Sequence, residues 1–198
     1  MLERFAVSIA ASTILAILGK LGLLYYSAQG AGRDWLDEAV LQSDLVVLLL
    51  ALFLIFLRGK MMHDDAAFFG DLAKVGQPVF KRDKVSMRLI RLGLFLGYTS
   101  WLLWAPAIYF LERPRRFAAF FVASIVLSTI WLVIDIVTRV KIDWRRAFWV
   151  IPNICYALLA ALMLVEGWST IAALGLIAVL VVDWLVSDPT TGHFGAAA

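Results

Sequence analysis

Four charged residues stand inside runs that are otherwise apolar: Lys20, Asp44, Asp135 and Asp183. An ionisable group in an apolar span is costly, so it pairs, faces water or marks a functional path. Lys20 and Asp44 sit near the facing ends of the first two apolar runs. At about 1.5 Å per residue their depths differ by only about 5 Å. A lysine side chain covers that gap, so the two are expected to pair or share a polar network. Asp135 lies four residues before Arg139, which makes an i,i+4 ion pair available on one helix face. Asp183 lies near the end of the last apolar run, and both acids are in reach of the basic turn at 139–146. These acids fall near span ends, not at the middle depth expected of a proton or ion relay. Their expected role is to tie helices together.

No other residues have catalytic spacing. His63 and His193 lie in polar segments, and neither belongs to a metal-ligand pattern. Cys155 sits in an apolar run with no histidine near it in sequence, as an inert packed thiol does. No phosphate-binding glycine loop, G-x-S-x-G elbow or dinucleotide fingerprint is present. The expectation is therefore a non-enzymatic protein without metal or cofactor, with bound phospholipid as the one ligand class left open. Trp144, Trp149, Trp168 and Trp184 fall near span ends, where interfacial aromatic belts belong. Trp101, Trp104 and Trp131 lie deeper and read as core packing.

The elements that must position these residues are membrane spans. Hydrophobic residues make up 63% of the 198, and the mean hydropathy is +0.88. One small soluble core cannot hide that much apolar surface. The net charge of +3 comes from basic residues at span ends, so it points to membrane orientation and not to nucleic acid. The expected fold is all-α, a polytopic membrane bundle in one domain, with six spans at about 4–28, 39–57, 85–111, 117–140, 147–165 and 169–186. The first apolar run is too long for a signal-peptide core, so it reads as a retained span. Gly19 and Gly22 give that span small residues suited to close helix approach, and Gly93 and Gly97 form a GxxxG pair in the third. The stretch 58–84 is too polar to span. Phe68, Leu72 and Val75 recur there at helical spacing, which predicts an amphipathic helix lying in the interface.

Eight of the eighteen basic residues fall between Arg58 and Arg91. With six spans they share one side with Arg4 and the four of 139–146. Arg33, Arg113, Arg115 and Arg116 fall on the other side. Basic residues mark the inner side, so both termini are expected to lie inside. The Arg113–Arg116 cluster is the one local exception.

From Asp71 to about residue 186 the chain resembles the peroxin eleven family of peroxisomal membrane proteins. Phe80-Lys81-Arg82-Asp83-Lys84 stands where that family has a Gly-Arg-Asp-Lys-like run, with Lys81 in place of the glycine. Ser86, Arg88, Arg91, Leu92 and Gly93 are similar to its Ser, basic and Arg-x-Gly pattern. Gly97-Tyr98 resembles its later Gly-Tyr, and Gly175 lies in a similar final apolar helix. Two strongly apolar spans precede the match, which departs from the family. The resemblance implies an organellar membrane protein that shapes or scaffolds membrane through amphipathic segments and self-association. Pore formation has also been considered for that family.

The leading expectation is thus a structural or scaffolding membrane protein. It is an accessory subunit of a larger organellar complex of mitochondrial type, or a membrane-shaping protein. Its partners are lipids and other membrane subunits, and its home is the mitochondrial inner membrane or the peroxisome, with a bacterial inner membrane also open. A small-solute or ion channel or transporter is the alternative.

Overall fold

The structure, a computed structural model, describes the backbone of residues 2–30, 41–73, 79–142 and 144–187. The side chains described are those of 11–27, 45–61, 79–142, 144 and 146–186. Among these residues there are six helices and no strand. They are α1 (Leu2–Gly30), α2 (Leu41–Ala73), α3 (Lys84–Tyr109), α4 (Pro114–Thr138), α5 (Trp144–Leu162) and α6 (Ser169–Ser187).

Local sequence explains where the later helices begin and end. Asp83 caps α3 by accepting from the backbone N–H groups of Val85 at 3.0 Å and Ser86 at 2.8 Å. The Ser86 hydroxyl donates back to Asp83 Oδ2 at 2.7 Å. These bonds stabilise the carboxylate and hold its pKa below the ordinary 3.8. Pro114 opens α4 at its first position, where a missing N–H costs nothing. Thr138 closes α4 by turning its hydroxyl back to the Ile134 carbonyl at 2.8 Å. Gly167 adopts φ +81°, open to glycine without strain, and lets a short turn join α5 to α6.

The helices form a closed ring. α1 packs on α2 and α3, α3 on α4, α4 on α5, α5 on α6, and α6 returns to α2. The middle of the ring is filled with aromatic rings. Phe53 of α2 meets Phe121 of α4 edge-on at 5.5 Å and Tyr156 of α5 at 5.4 Å. Phe117 stacks on Phe121 at 5.4 Å, and Trp104 of α3 meets Phe121 at 6.2 Å. Aromatic pairs at these separations add to the energy of area burial.

The α3–α4 seam depends on its two glycines. A Cβ at Gly93 would stand 3.0 Å from Trp131 and 3.1 Å from Ile134, and one at Gly97 would stand 3.2 Å from Trp131. Across the same seam Ser100 Oγ lies 2.6 Å from Ser128 Oγ and 3.3 Å from Ser124 Oγ, and Ser124 Oγ donates to the Ser100 carbonyl at 3.0 Å. Close backbones and interhelical hydroxyl bonds are the means by which helices associate in lipid.

Three helices, not six, are long and apolar enough among the described residues to cross a membrane: Lys84–Tyr109, Pro114–Thr138 and Ser169–Val186. The apolar helical stretches Ala11–Ser27 and Arg146–Leu162 are shorter. The second helix differs most from expectation. It does not stop at Leu57 but runs unbroken to Ala73, so Phe68 and Leu72 belong to α2 and not to a separate in-plane helix. Their side chains, and Val75 altogether, lie outside the described residues. Where the apolar run ends, Arg58 is still inside the bundle, 1% exposed, with its guanidinium over the rings of Trp101 at 5.3 Å and Trp104 at 5.7 Å. The small residues of α1 also differ in use, since Gly19 and Gly22 have nothing within 4 Å of a built Cβ.

Candidate functional site

One end of the bundle carries the charge. It is formed by Arg58 and Lys60 of α2, the end of α4, the start of α5 and the end of α6, and is called here the basic end. Two buried carboxylates organise it. Asp135 receives Arg139 Nε at 3.1 Å on Oδ2 and 3.2 Å on Oδ1, and Arg146 Nη1 at 3.1 Å on Oδ2. Asp183 receives Lys60 Nζ at 3.1 Å and the Tyr156 hydroxyl at 2.9 Å. Both acids are 3% exposed. A buried carboxylate is tolerable only when donors surround it in this way.

A single indole joins the two clusters. Lys60 Nζ lies 5.1 Å from the Trp149 ring centroid and Arg146 Cζ lies 5.7 Å from it. Both are in cation–π range. The network therefore links α2, α4, α5 and α6 across the middle of the ring.

A short backbone pairing secures the same end. Lys81 N–H donates to the Thr138 carbonyl at 2.8 Å and Val140 N–H to the Val79 carbonyl at 3.0 Å. Lys81 Nζ also donates to the Val137 carbonyl at 2.9 Å, satisfying an orphan acceptor at the end of α4. The Arg139 guanidinium lies over Phe80 at 5.0 Å.

Between these groups is a cavity of about 60 Å³. Helical stripes line it. Leu57, Lys60 and Met61 come from α2, Ser128, Trp131, Leu132 and Asp135 from α4, Arg146, Trp149 and Asn153 from α5, and Asp183 from α6. Its charged lining balances, two carboxylates against one ammonium and one guanidinium. Its deeper lining is hydroxyl, amide and indole.

Several of the residues singled out from the sequence meet here. Asp135 and Arg139 form the i,i+4 pair, Asp183 reaches a basic residue of α2, and Gly93 and Gly97 lie in a tight seam. Lys20 is placed elsewhere. Its Nζ bonds Glu112 Oε1 at 3.0 Å and sits 5.7 Å from the Tyr109 ring, beside the α3–α4 turn. Asp44 lies in the first turn of α2, and its side chain is outside those described. Glu112 takes the lysine because α1 packs against α3 where α3 ends.

Sequence reasoning missed Arg58, Lys60, Asn153, Tyr156 and the three serines. The serines had a legible signal, since Ser124 and Ser128 form a small-x-x-x-small pair facing another small residue, Ser100. Arg58 and Lys60 had none, because their partners lie on other helices. Cys155 is a partly buried free thiol on α5. No three metal-ligating side chains gather among the described residues.

Comparison with protein-family models, with curated proteins and with solved structures returned no match. The fold and the site therefore define the protein only as a helical bundle with membrane-type helices and a charged, buried end.

Proposed function

We propose that the protein is a non-enzymatic integral membrane bundle of six spans, in which α1, α2 and α5 cross beside the three helices that are long and apolar enough to do so, with both termini on the side of its basic end. It acts as a structural or scaffolding component, as an accessory subunit of a larger organellar membrane complex or as a membrane-shaping protein. The observation that carries this reading is inverted polarity. Leu15, Leu23, Phe95, Leu102, Leu158 and Leu185 are each more than 60% exposed, while Asp135, Arg139, Arg146 and Asp183 are at most 6% exposed. A lipid solvent favours that arrangement and water does not.

The scaffolding role follows from how the charges are used. They connect helices, and each carboxylate is held by two donors. Rigid interhelical ties of this kind suit a component that holds a shape. The resemblance of residues 71–186 to the peroxin eleven family supports the membrane-shaping form. Lipids and neighbouring subunits are the partners. A small-solute channel or transporter is the second reading, favoured by the cavity at the basic end.

Reconstituted vesicles test the choice. Unmodified protein is expected to give no ion flux above empty vesicles, and Asp135→Asn to lose assembly. Flux through the unmodified protein that Asp135→Asn abolishes while assembly persists moves the assignment to a channel.

A further inference from the structure

The cavity at the basic end reaches further than an ion-pair network requires. It is lined at one extreme by Asp135 and at the other by Ser128. These residues are seven apart on α4, which is about 10 Å along the helix axis. Ser128 is fifteenth of the 25 residues of α4, so the cavity runs to the middle of the bundle. There Ser128 meets Ser100, which meets Ser124 one turn deeper. All three hydroxyls are buried, with Ser100 and Ser124 at 0% exposure. Asn153 faces the same space from α5.

Beyond Ser124 the character changes at once. Phe121, Phe117, Phe53 and Trp104 fill the ring with carbon and are at most 3% exposed. The interior is thus polar from the basic end to the middle and filled with aromatic rings from the middle onward, where the Arg58 guanidinium lies over Trp104. An apolar constriction stops water by dewetting.

We propose that the cavity is a half-channel, open to the basic end, that admits water and water-sized solutes as far as the Ser128 hydroxyl at the middle of the bundle. The aromatic cluster of Phe53, Trp104, Phe117 and Phe121 closes it towards the far end. The size fits, because a water needs roughly 10–15 Å³ of such space and two to four polar partners. Hydroxyl, amide and indole groups are offered at depth. The proposal rests on the membrane placement of the bundle, and it adds to the scaffolding role a solvent path through half of the membrane.

Thiol accessibility tests it. In a Cys155→Ala background, Ser128→Cys is placed in sealed vesicles of both orientations and exposed to Ag⁺. Unreacted thiol is then counted after denaturation. Reaction is expected from the side that bears the 139–146 turn, roughly tenfold or more faster than from the other side, as access governs thiol chemistry. Ala107→Cys, buried beyond the aromatic cluster, is expected to stay inert from both sides. Asn153→Cys, on the opposite wall, serves if Ser128→Cys does not fold. A reporter as inert as Ala107→Cys, or reactive equally from both sides, overturns the half-channel. Alkaline extraction of the same vesicles keeps the two failures apart. Protein that washes off overturns the membrane placement, and protein that stays with an inert reporter overturns only the half-channel.

Discussion

Asp135 is the residue on which the basic end depends, because two guanidinium groups converge on it where it is only 3% exposed. Replacing it by asparagine keeps the shape and removes the charge that Arg139 and Arg146 share. Breaking a buried pair from one side costs about 3–5 kcal/mol. Asp135→Asn is therefore expected to lower the melting temperature in detergent sharply, and an unchanged melting temperature would show that the cluster carries no stability. Lys20 is the contrast. Its partner Glu112 is 43% exposed, and such surface pairs contribute at most about 1 kcal/mol, so Lys20→Met should be nearly silent in the same assay. The difference between the two acids was half legible. Asp135 and Arg139 are four residues apart and visible in one helix turn. Lys60 and Asp183 are joined only by the packing of α2 on α6, which no linear spacing records.

Asp83 sets a second expectation for single residues. Its pKa is lowered by the bonds from Ser86 and Val85, so its capping contribution is full above the ordinary value of 3.8 and drains as pH falls through the lower folded value. Protection of the first-turn amides of α3, taken as the exchange rate relative to the intrinsic rate at each pH, should fall at that acid limit and stay level above it. Asp83→Ala should show low protection at every pH. Equal exchange in the two proteins near neutral pH would remove the cap from the start of α3.

At the scale of elements, the α3–α4 seam rests on two glycines in close contact with the facing helix. Gly97→Leu forces a side chain against Trp131, already 3.2 Å from a built Cβ. Overpacking of this kind costs about 1–3 kcal/mol. Gly22→Leu, in open space on α1, should leave the melting temperature within error. If Gly97→Leu were equally silent, the seam would not be close-packed.

The helices other than α2 lie within a few residues of where hydropathy placed them, because caps, prolines and turn glycines punctuate them locally. α2 was misread for an instructive reason. The change from LFLIFL to RGK looks like an exit from apolar surroundings, and by composition it is. The helix nonetheless continues, and its first two cations are taken up by other helices, Arg58 by Trp101 and Trp104 of α3 and Lys60 by Asp183 of α6. A polarity switch within one element is decided by residues on others.

At the scale of the molecule, the ring has an apolar exterior, a charged and cross-linked basic end, and an aromatic centre. Ion pairs tie its helices together at one end, and large apolar side chains are exposed along the described surface. Composition made the apolar, membrane-type character of the helices legible from the chain alone. Closure of the ring by α6 on α2, and with it the cavity, was not legible, since it depends on which non-consecutive helices meet.

The most direct measurement is the native mass of the protein purified in mild detergent, with identification of what co-purifies. The scaffolding role predicts a stoichiometric assembly larger than the 22.1 kDa chain, containing other membrane subunits and retained lipid, and an assembly that Asp135→Asn dissolves. A lone monomer or homo-oligomer of unchanged size in the Asp135→Asn variant would contradict it.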